Sequence, residues 1–216
     1  MNEPQPTVYV VDDDASVRKA MERLLRSAGL NVETFSSAQQ YLDGFAPTAP
    51  GCLLLDLAMP GISGLDLQDT LATRGGSPAI VFLTGRAEVS DGIQAMKRGA
   101  AEFLTKPVDE RVLIEAVRLA LEKDRVERLQ RDWITEIEHR LATLTPRELE
   151  VLRYVIAGKL NKQIAGFLGT VEKTIKVHRA RAMEKMQAQS LAQLVQLAAA
   201  VGITGALPKR DASAPT

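Results

Sequence analysis

The sequence predicts an α/β doubly wound five-stranded parallel sheet, joined by a linker helix to an all-α module of four helices. Three observations predict it. Over the first 120 or so residues, short apolar runs bounded by turn residues alternate with amphipathic stretches, the pattern of a parallel sheet covered on both faces. From Glu110 to Leu144 there is neither Pro nor Gly. Beyond it, residues 144–203 hold four further amphipathic segments separated by Gly turns and capping boxes.

Composition narrows the possibilities. A chain of 216 residues has room for one large domain or two small ones, and 45% hydrophobic with 25% charged residues is ordinary for a globular protein. The formal net charge of zero hides an asymmetry. Residues 1–123 carry 12 Lys and Arg against 17 Asp and Glu, whereas residues 124–216 carry 15 against 10. Opposite signs suggest two modules with different partners, the basic one suited to a polyanion. One cysteine, Cys52, excludes a disulfide framework and reads as core packing in a reducing compartment. The N-terminus lacks the basic start and apolar core of a signal peptide. The longest apolar stretch, Leu191 to Ile203, is broken by Gln193 and Gln196 and is too short to span a bilayer. A cytoplasmic location is expected.

Taken in order, Thr7 to Val11 is a β-rich run stopping at Asp12-Asp13-Asp14. Val17, Met21, Leu24 and Leu25 mark a helix capped by Gly29, with Asp14 as its N-cap. Val32 to Phe35 reads as a strand and Ala38 to Leu42 as a short helix. Leu53-Leu54-Leu55-Asp56 is a buried strand ending in a carboxylate, after which Pro60-Gly61 turns the chain. A helix from about Gly64 to Ala72 precedes a fully apolar strand, Ala79 to Leu83, ending in Thr84-Gly85. Glu88 to Arg98 is helical, and Glu102 to Thr105 is a last strand ending at Lys106-Pro107. Asp109 then caps a helix starting near Glu110.

The polar residues at these strand ends are Asp12, Asp13, Asp56, Thr84 and Lys106. In a parallel sheet such ends share one edge, where ligands bind. Carboxylates packed together repel unless a cation compensates. A hard divalent ion, Mg²⁺ or Mn²⁺, would do so with oxygen ligands and accept phosphate oxygens. Asp56 could then act as a nucleophile towards a phosphoryl group, with Lys106 and Thr84 supplying an ammonium and a hydroxyl for its oxygens. Neither Leu57 nor Ala58 offers a general acid, so a turnover enzyme is not expected.

Val10-Val11-Asp12-Asp13, Leu55-Asp56 with Met59-Pro60-Gly61, Leu83-Thr84-Gly85 and Lys106-Pro107 resemble the receiver domain of bacterial two-component response regulators. The resemblance implies a flavodoxin/CheY-like sheet in the order 2-1-3-4-5 and Asp56 as phosphoacceptor. It implies metal ligation by Asp12 (through water), Asp13, Asp56 and the Ala58 carbonyl, and phosphoryl binding by Lys106. Thr84 and Phe103 would relay phosphorylation to the surface of the fourth helix and fifth strand, although Phe103 also reads as a simple core aromatic. Ala58 and Arg86 depart from the Arg and His frequent in this branch, which implies an altered lifetime of the aspartyl phosphate.

Along the connector, Val126, Leu129, Trp133, Ile137, Leu141 and Leu144 are spaced 3, 4, 4, 4 and 3, an amphipathic helical stripe rather than a sustained 3.5-residue repeat. Trp133, the only tryptophan, should pack against the other domain or a second copy of the helix.

Thr145-Pro146-Arg147-Glu148 is a capping box with Pro at the first helical position. The helix it starts has Leu149, Leu152, Val155 and Ile156 as its inner face. Asn161 opens a short helix with Ile164, Ala165 and Leu168 inward. A third runs from about Glu172 to Met186, with Ile175, Val177, Ala182 and Met186 as inner candidates, and Ser190 starts a fourth. Two helices flanking a tight Gly turn read as a helix-turn-helix. Residues 144–203 carry 9 Lys and Arg against 4 Asp and Glu, with Lys173, Lys176, Arg179, Arg181 and Lys185 on the third helix, which suits insertion into a major groove.

Leu144-Thr145-Pro146-Arg147-Glu148, Asn161-Lys162-Gln163-Ile164-Ala165 and Lys173 to Arg179 resemble the LuxR-type DNA-binding domain. The whole chain resembles the NarL/FixJ class of response regulators, in its FixJ-like branch. The resemblance implies that Lys176 and Val177 face base edges and that Lys162, Thr174 and Arg179, with Arg181 added, contact phosphates. Val171 stands where the family has a Ser or Thr cap, so either Thr170 caps a shifted helix or the start frays. The expected domains are a receiver at 6–123, a linker helix at 124–143, a DNA-binding domain at 144–204 and a disordered tail at 205–216. The implied partners are a sensor histidine kinase, double-stranded DNA and a second copy in a phosphorylation-dependent homodimer. No membrane is implied.

Overall fold

The third strand is the most deeply buried part of the first domain and sets its geometry. In the computed structural model, which describes residues 5–44, 50–74, 78–85 and 89–205, β1 (Thr7–Val11), β2 (Asn31–Phe35), β3 (Gly51–Leu55), β4 (Ala79–Thr84) and β5 (Glu102–Thr105) form one sheet in the order β2-β1-β3-β4-β5. All pairings are parallel. The crossovers are α1 (Ala15–Ser27), α2 (Ala38–Gly44), α3 (Gly64–Arg74) and α4 (Val89–Lys97).

Each central strand is buried on both faces, and its side chains alternate between two cores. Leu53, Leu55, Ile80 and Phe82 pack with Tyr41, Leu67, Leu71 and Ala95 from α2, α3 and α4. Cys52, Leu54, Val81 and Leu83 pack with Leu25 of α1 and with Leu113, Ala116 and Val117 of α5 (Glu110–Ala142). That alternation explains why the sequence shows continuous apolar runs rather than a two-residue period. Cys52 is fully buried, as a core cysteine should be. Asp14 caps α1, its carboxylate accepting from the Ser16 N–H at 2.7 Å.

The chain divides into two compact units after Leu129. In the second, α6 (Pro146–Ile156), α7 (Asn161–Phe167), α8 (Glu172–Lys185) and α9 (Leu191–Ala200) surround Val151, Leu152, Val155, Ile164, Ile175, Ala182, Met186, Leu194 and Leu197, with Ile137 from the end of α5. Val151 was not an expected inner residue but is fully buried, whereas Leu149 is only half-buried. Gly169, between α7 and α8, has φ +60°, a left-handed conformation suited to glycine. It closes the tight turn of a helix-turn-helix.

The single linker helix expected after Glu110 is present, but its apolar stripe has two fates. Ile137 is buried, and Leu141 and Leu144 pack on the second core. Val126, Leu129 and Trp133 stay about half exposed. Only the C-terminal part of the stripe has a core to enter. Residues 206–216, nearly all of the expected tail, and Arg86 lie outside the described residues.

One buried charge on α5 was not anticipated. The Asp124 carboxylate is 1% exposed and accepts from the Gly51 N–H at 2.9 Å and from Arg128 Nε at 2.7 Å. It ties the first residue of β3 to α5. A buried pair broken by removing one partner costs about 3–5 kcal/mol. Asp124→Ala should therefore lower the unfolding free energy of this unit by about 3 kcal/mol in urea, and a loss under about 0.5 kcal/mol, typical of a surface change, would remove Asp124 from this role.

Candidate phosphoacceptor site and DNA-binding surface

Register brings the strand-end residues together. Val11 is paired with Leu55, Leu55 with Phe82, and Thr84 with Thr105. The Asp56 N–H donates to the Val11 carbonyl at 2.9 Å, and the Lys106 N–H to the Thr84 carbonyl at 2.8 Å. Asp12, Asp56, Thr84 and Lys106 therefore leave adjacent strands at one edge. Gly64 completes the floor. A Cβ there would lie 2.5 Å from the Asp56 carbonyl oxygen, so a glycine is what lets the start of α3 approach so closely.

Carboxylate oxygens of Asp12, Asp13 and Asp56 lie within 4.8 Å of one another. Asp12 and Asp56 are buried, and Asp13 is exposed. Lys106 Nζ contacts Asp12 Oδ2 at 2.6 Å and lies 3.8 Å from Asp56 Oδ1. Burial pushes the Asp56 carboxyl above the ordinary aspartate range and Asp12 adds to the rise. Lys106, the Leu57 N–H and Thr84 oppose it. Asp56 Oδ1 is buried with no hydrogen-bond partner. Three hard oxygen donors and a buried, unsatisfied carboxylate oxygen fit a divalent oxophilic cation. Ala58 is exposed in the turn after β3.

Thr84 ends β4 and is 1% exposed. Phe103, half-buried on β5, faces Phe82 with ring centroids 5.9 Å apart and lies beside Gly92 of α4. The structure thus places Phe103 in the outer layer of the core, against the helix it was expected to influence. Arg18 was missed by sequence reasoning. Its Nη1 donates to the Asp12 carbonyl at 2.6 Å, and its only signal is its place one turn into α1, beside the acidic loop.

In the second unit, α8 buries Ile175 and Ala182. Lys176 is exposed, Val177 is 43% exposed, Thr174 and Arg179 are half-buried and Arg181 is exposed; Lys162 is exposed on α7. Val177 is therefore not an inner residue: Ile175 and Ala182 already occupy the face turned to the core. Val171 is the N-cap of α8 and makes no side-chain cap bond, so the helix starts where expected and forgoes about 1 kcal/mol of capping. Lys185 belongs to the scaffold. Its ammonium reaches Glu148 Oε2 at 2.7 Å and the Thr143 carbonyl at 2.9 Å, and Glu148 also accepts from the Thr145 N–H at 2.9 Å.

The comparisons with known proteins agree with this geometry. Residues 8–118 match the response regulator receiver domain, and residues 142–198 match the luxR family of bacterial regulatory proteins. The transcriptional regulatory protein FixJ of Azorhizobium caulinodans is 42% identical over 209 residues, covering 97% of each chain. A low-resolution structure of the response regulator StyR superposes with a TM-score of 0.81 at 45% identity, covering 90% of this chain and 98% of that one. Full-length FixJ from B. japonicum superposes at 0.56, with 37% identity over 93% of this chain and 98% of that one. The chain belongs to the NarL/FixJ class of two-component response regulators. It is a DNA-binding regulator, built from a receiver and a luxR-type helix-turn-helix domain.

Two predictions test the site and its support. Because burial raises the Asp56 pKa in the folded state, its charge costs more there than in the unfolded chain. Asp56→Asn should raise the melting temperature of magnesium-free protein. Millimolar Mg²⁺ should raise that of the wild type by about 4 °C or more and move the variant much less; an equal response in both would contradict the site. Glu148 is shifted the opposite way. Its bonds to Lys185 and to the Thr145 N–H hold the carboxyl at about 2, against an ordinary 4.5. The folded state favours the anion, so this stabilisation is complete above pH 4.5 and is lost as the pH falls towards 2. Glu148→Gln should melt below the wild type at neutral pH, and the gap should close across that window; a gap independent of pH would contradict the pairing.

Proposed function

We propose that Asp56 accepts a phosphoryl group from the phosphohistidine of a sensor histidine kinase, and that the resulting aspartyl phosphate raises affinity for paired DNA half-sites by favouring a homodimer. The carboxylate oxygen of Asp56 attacks phosphorus as the phosphorus–nitrogen bond to histidine breaks. Lys106 takes a position beside the transferred oxygens, and the Thr84 hydroxyl donates to one of them. Mg²⁺ (or Mn²⁺), when bound, would supply charge neutralisation between the carboxylates and a phosphoryl oxygen, held by Asp12 through water, by Asp13 and Asp56, and by the Ala58 carbonyl. Drawing Thr84 towards the phosphoryl group would alter the packing of Phe103 against α4. Since neither Leu57 nor Ala58 offers a general acid, hydrolysis resets the switch rather than making the protein a turnover enzyme.

In the second domain, Lys176 and Val177 present to base edges, while Lys162, Thr174, Arg179 and Arg181 contact phosphates and fix register. Pairing two such domains raises affinity for a repeated site. No described helix is long and apolar enough to cross a membrane, and the protein works in the cytoplasm with its kinase, its DNA and a second copy of itself.

The observation that carries this reading is the convergence of Asp12, Asp13 and Asp56, with Lys106 beside Asp12 and Asp56, in a chain that also presents a basic helix in a helix-turn-helix. Its test uses the full-length protein and a duplex selected from random-sequence DNA. Treatment with acetyl phosphate and Mg²⁺ should tighten binding about tenfold or more, and Asp56→Asn should abolish the response. An unchanged response in the variant, or no specific binding in either state, would contradict the reading.

A further inference from the structure

Three of the cations of α8 are held in three different ways. Lys185, itself partly exposed, pairs with the buried Glu148 at 2.7 Å, and Lys176 pairs with Glu172 at 3.1 Å one turn away on its own helix. Arg179 instead reaches another helix, where its Nη1 donates to Asn161 Oδ1 at 3.2 Å. Asn161 is the first residue of α7 and precedes Lys162; both Asn161 and Arg179 are half-buried. The partner is a neutral amide. A carboxylate in its place would fix the guanidinium more strongly but cancel its charge, whereas an amide oxygen orients it and leaves the positive charge for an anion.

We propose that Asn161 is a positioning residue for phosphate recognition: its side-chain oxygen holds the Arg179 guanidinium in the orientation that engages a DNA backbone phosphate. The inference rests on the DNA-binding reading above. Ordering a free, rotamer-rich arginine at an interface carries an entropic cost at binding. In the free protein Arg179 already has one N–H committed to Asn161, so part of that ordering precedes binding. The effect is independent of base sequence, because a phosphate contact is.

The test is a double-mutant cycle in the phosphorylated full-length protein. Binding is measured to a duplex selected from random-sequence DNA and to a scrambled duplex of the same length, across a range of salt. Asn161→Ala should weaken binding about three- to tenfold on both duplexes with an unchanged salt dependence, since Arg179 still meets its phosphate. In an Arg179→Ala background the same change should cost less than about twofold, because there is no guanidinium left to position. Asn161→Asp keeps the acceptor but adds a negative charge. It should bind more weakly than Asn161→Ala and lower the salt slope by about one; it also tests the idea if the alanine variant does not fold. Full additivity of the two alanine changes would overturn the proposal. So would a loss confined to the selected duplex, or Asn161→Asp binding as well as the wild type. Wild-type protein that binds neither duplex would instead bring down the DNA-binding reading itself.

Discussion

The first domain depends on the repulsion among carboxylates that a parallel sheet gathers at one edge, and on the cation that restrains it. Asp12 and Asp56 are buried side by side, and Lys106, from the far edge strand, contacts one at 2.6 Å and lies 3.8 Å from the other. The cost of burying these charges is only partly offset, as the raised pKa of Asp56 and the lack of a hydrogen bond to its Oδ1 show. Carboxylates held in this state would be relieved by a divalent cation among them. The same strands whose apolar residues form the two cores place the site, so stability and chemistry share one scaffold.

The second domain treats its charges differently. A half-buried Lys185 pairs with the buried Glu148 and fastens α8 to the start of α6. Lys176, Val177 and Arg181 stay exposed. Lys185 at the C-terminal end of α8 thus holds the helix in place, whereas Lys176 and Arg181 face outward. An uncapped start at Val171 is consistent with this division, since most of the fixing lies farther along the helix.

Much of this was legible in the sequence because it depends on local rules. Apolar runs ending in Asp12, Asp56, Thr84 and Lys106 gave the strands and their shared edge, and Thr145-Pro146-Arg147-Glu148 gave the start of α6. What escaped depends on pairing between elements distant in sequence. Asp124 and Lys185 look like surface charges in an amphipathic pattern, and nothing local says that their partners are Gly51 and Glu148. Val177 was legible both as an inner position and as a base-reading residue, and its exposure removes the first of these. The stripe through Trp133 followed helical spacing correctly, yet spacing cannot tell which part of a long helix has a core beside it.

The central claim is that Asp56 is the group the strand edge prepares for phosphoryl transfer. The most direct measurement is to treat the full-length protein with acetyl phosphate and Mg²⁺, trap the acyl phosphate by borohydride reduction and map the product by peptide mass spectrometry. Reduction converts a phosphorylated aspartate to homoserine. The account predicts that change at residue 56, dependent on Mg²⁺ and strongly reduced in Lys106→Ala. Homoserine at Asp12 or Asp13 in place of Asp56, or trapping that is indifferent to Mg²⁺, would contradict it.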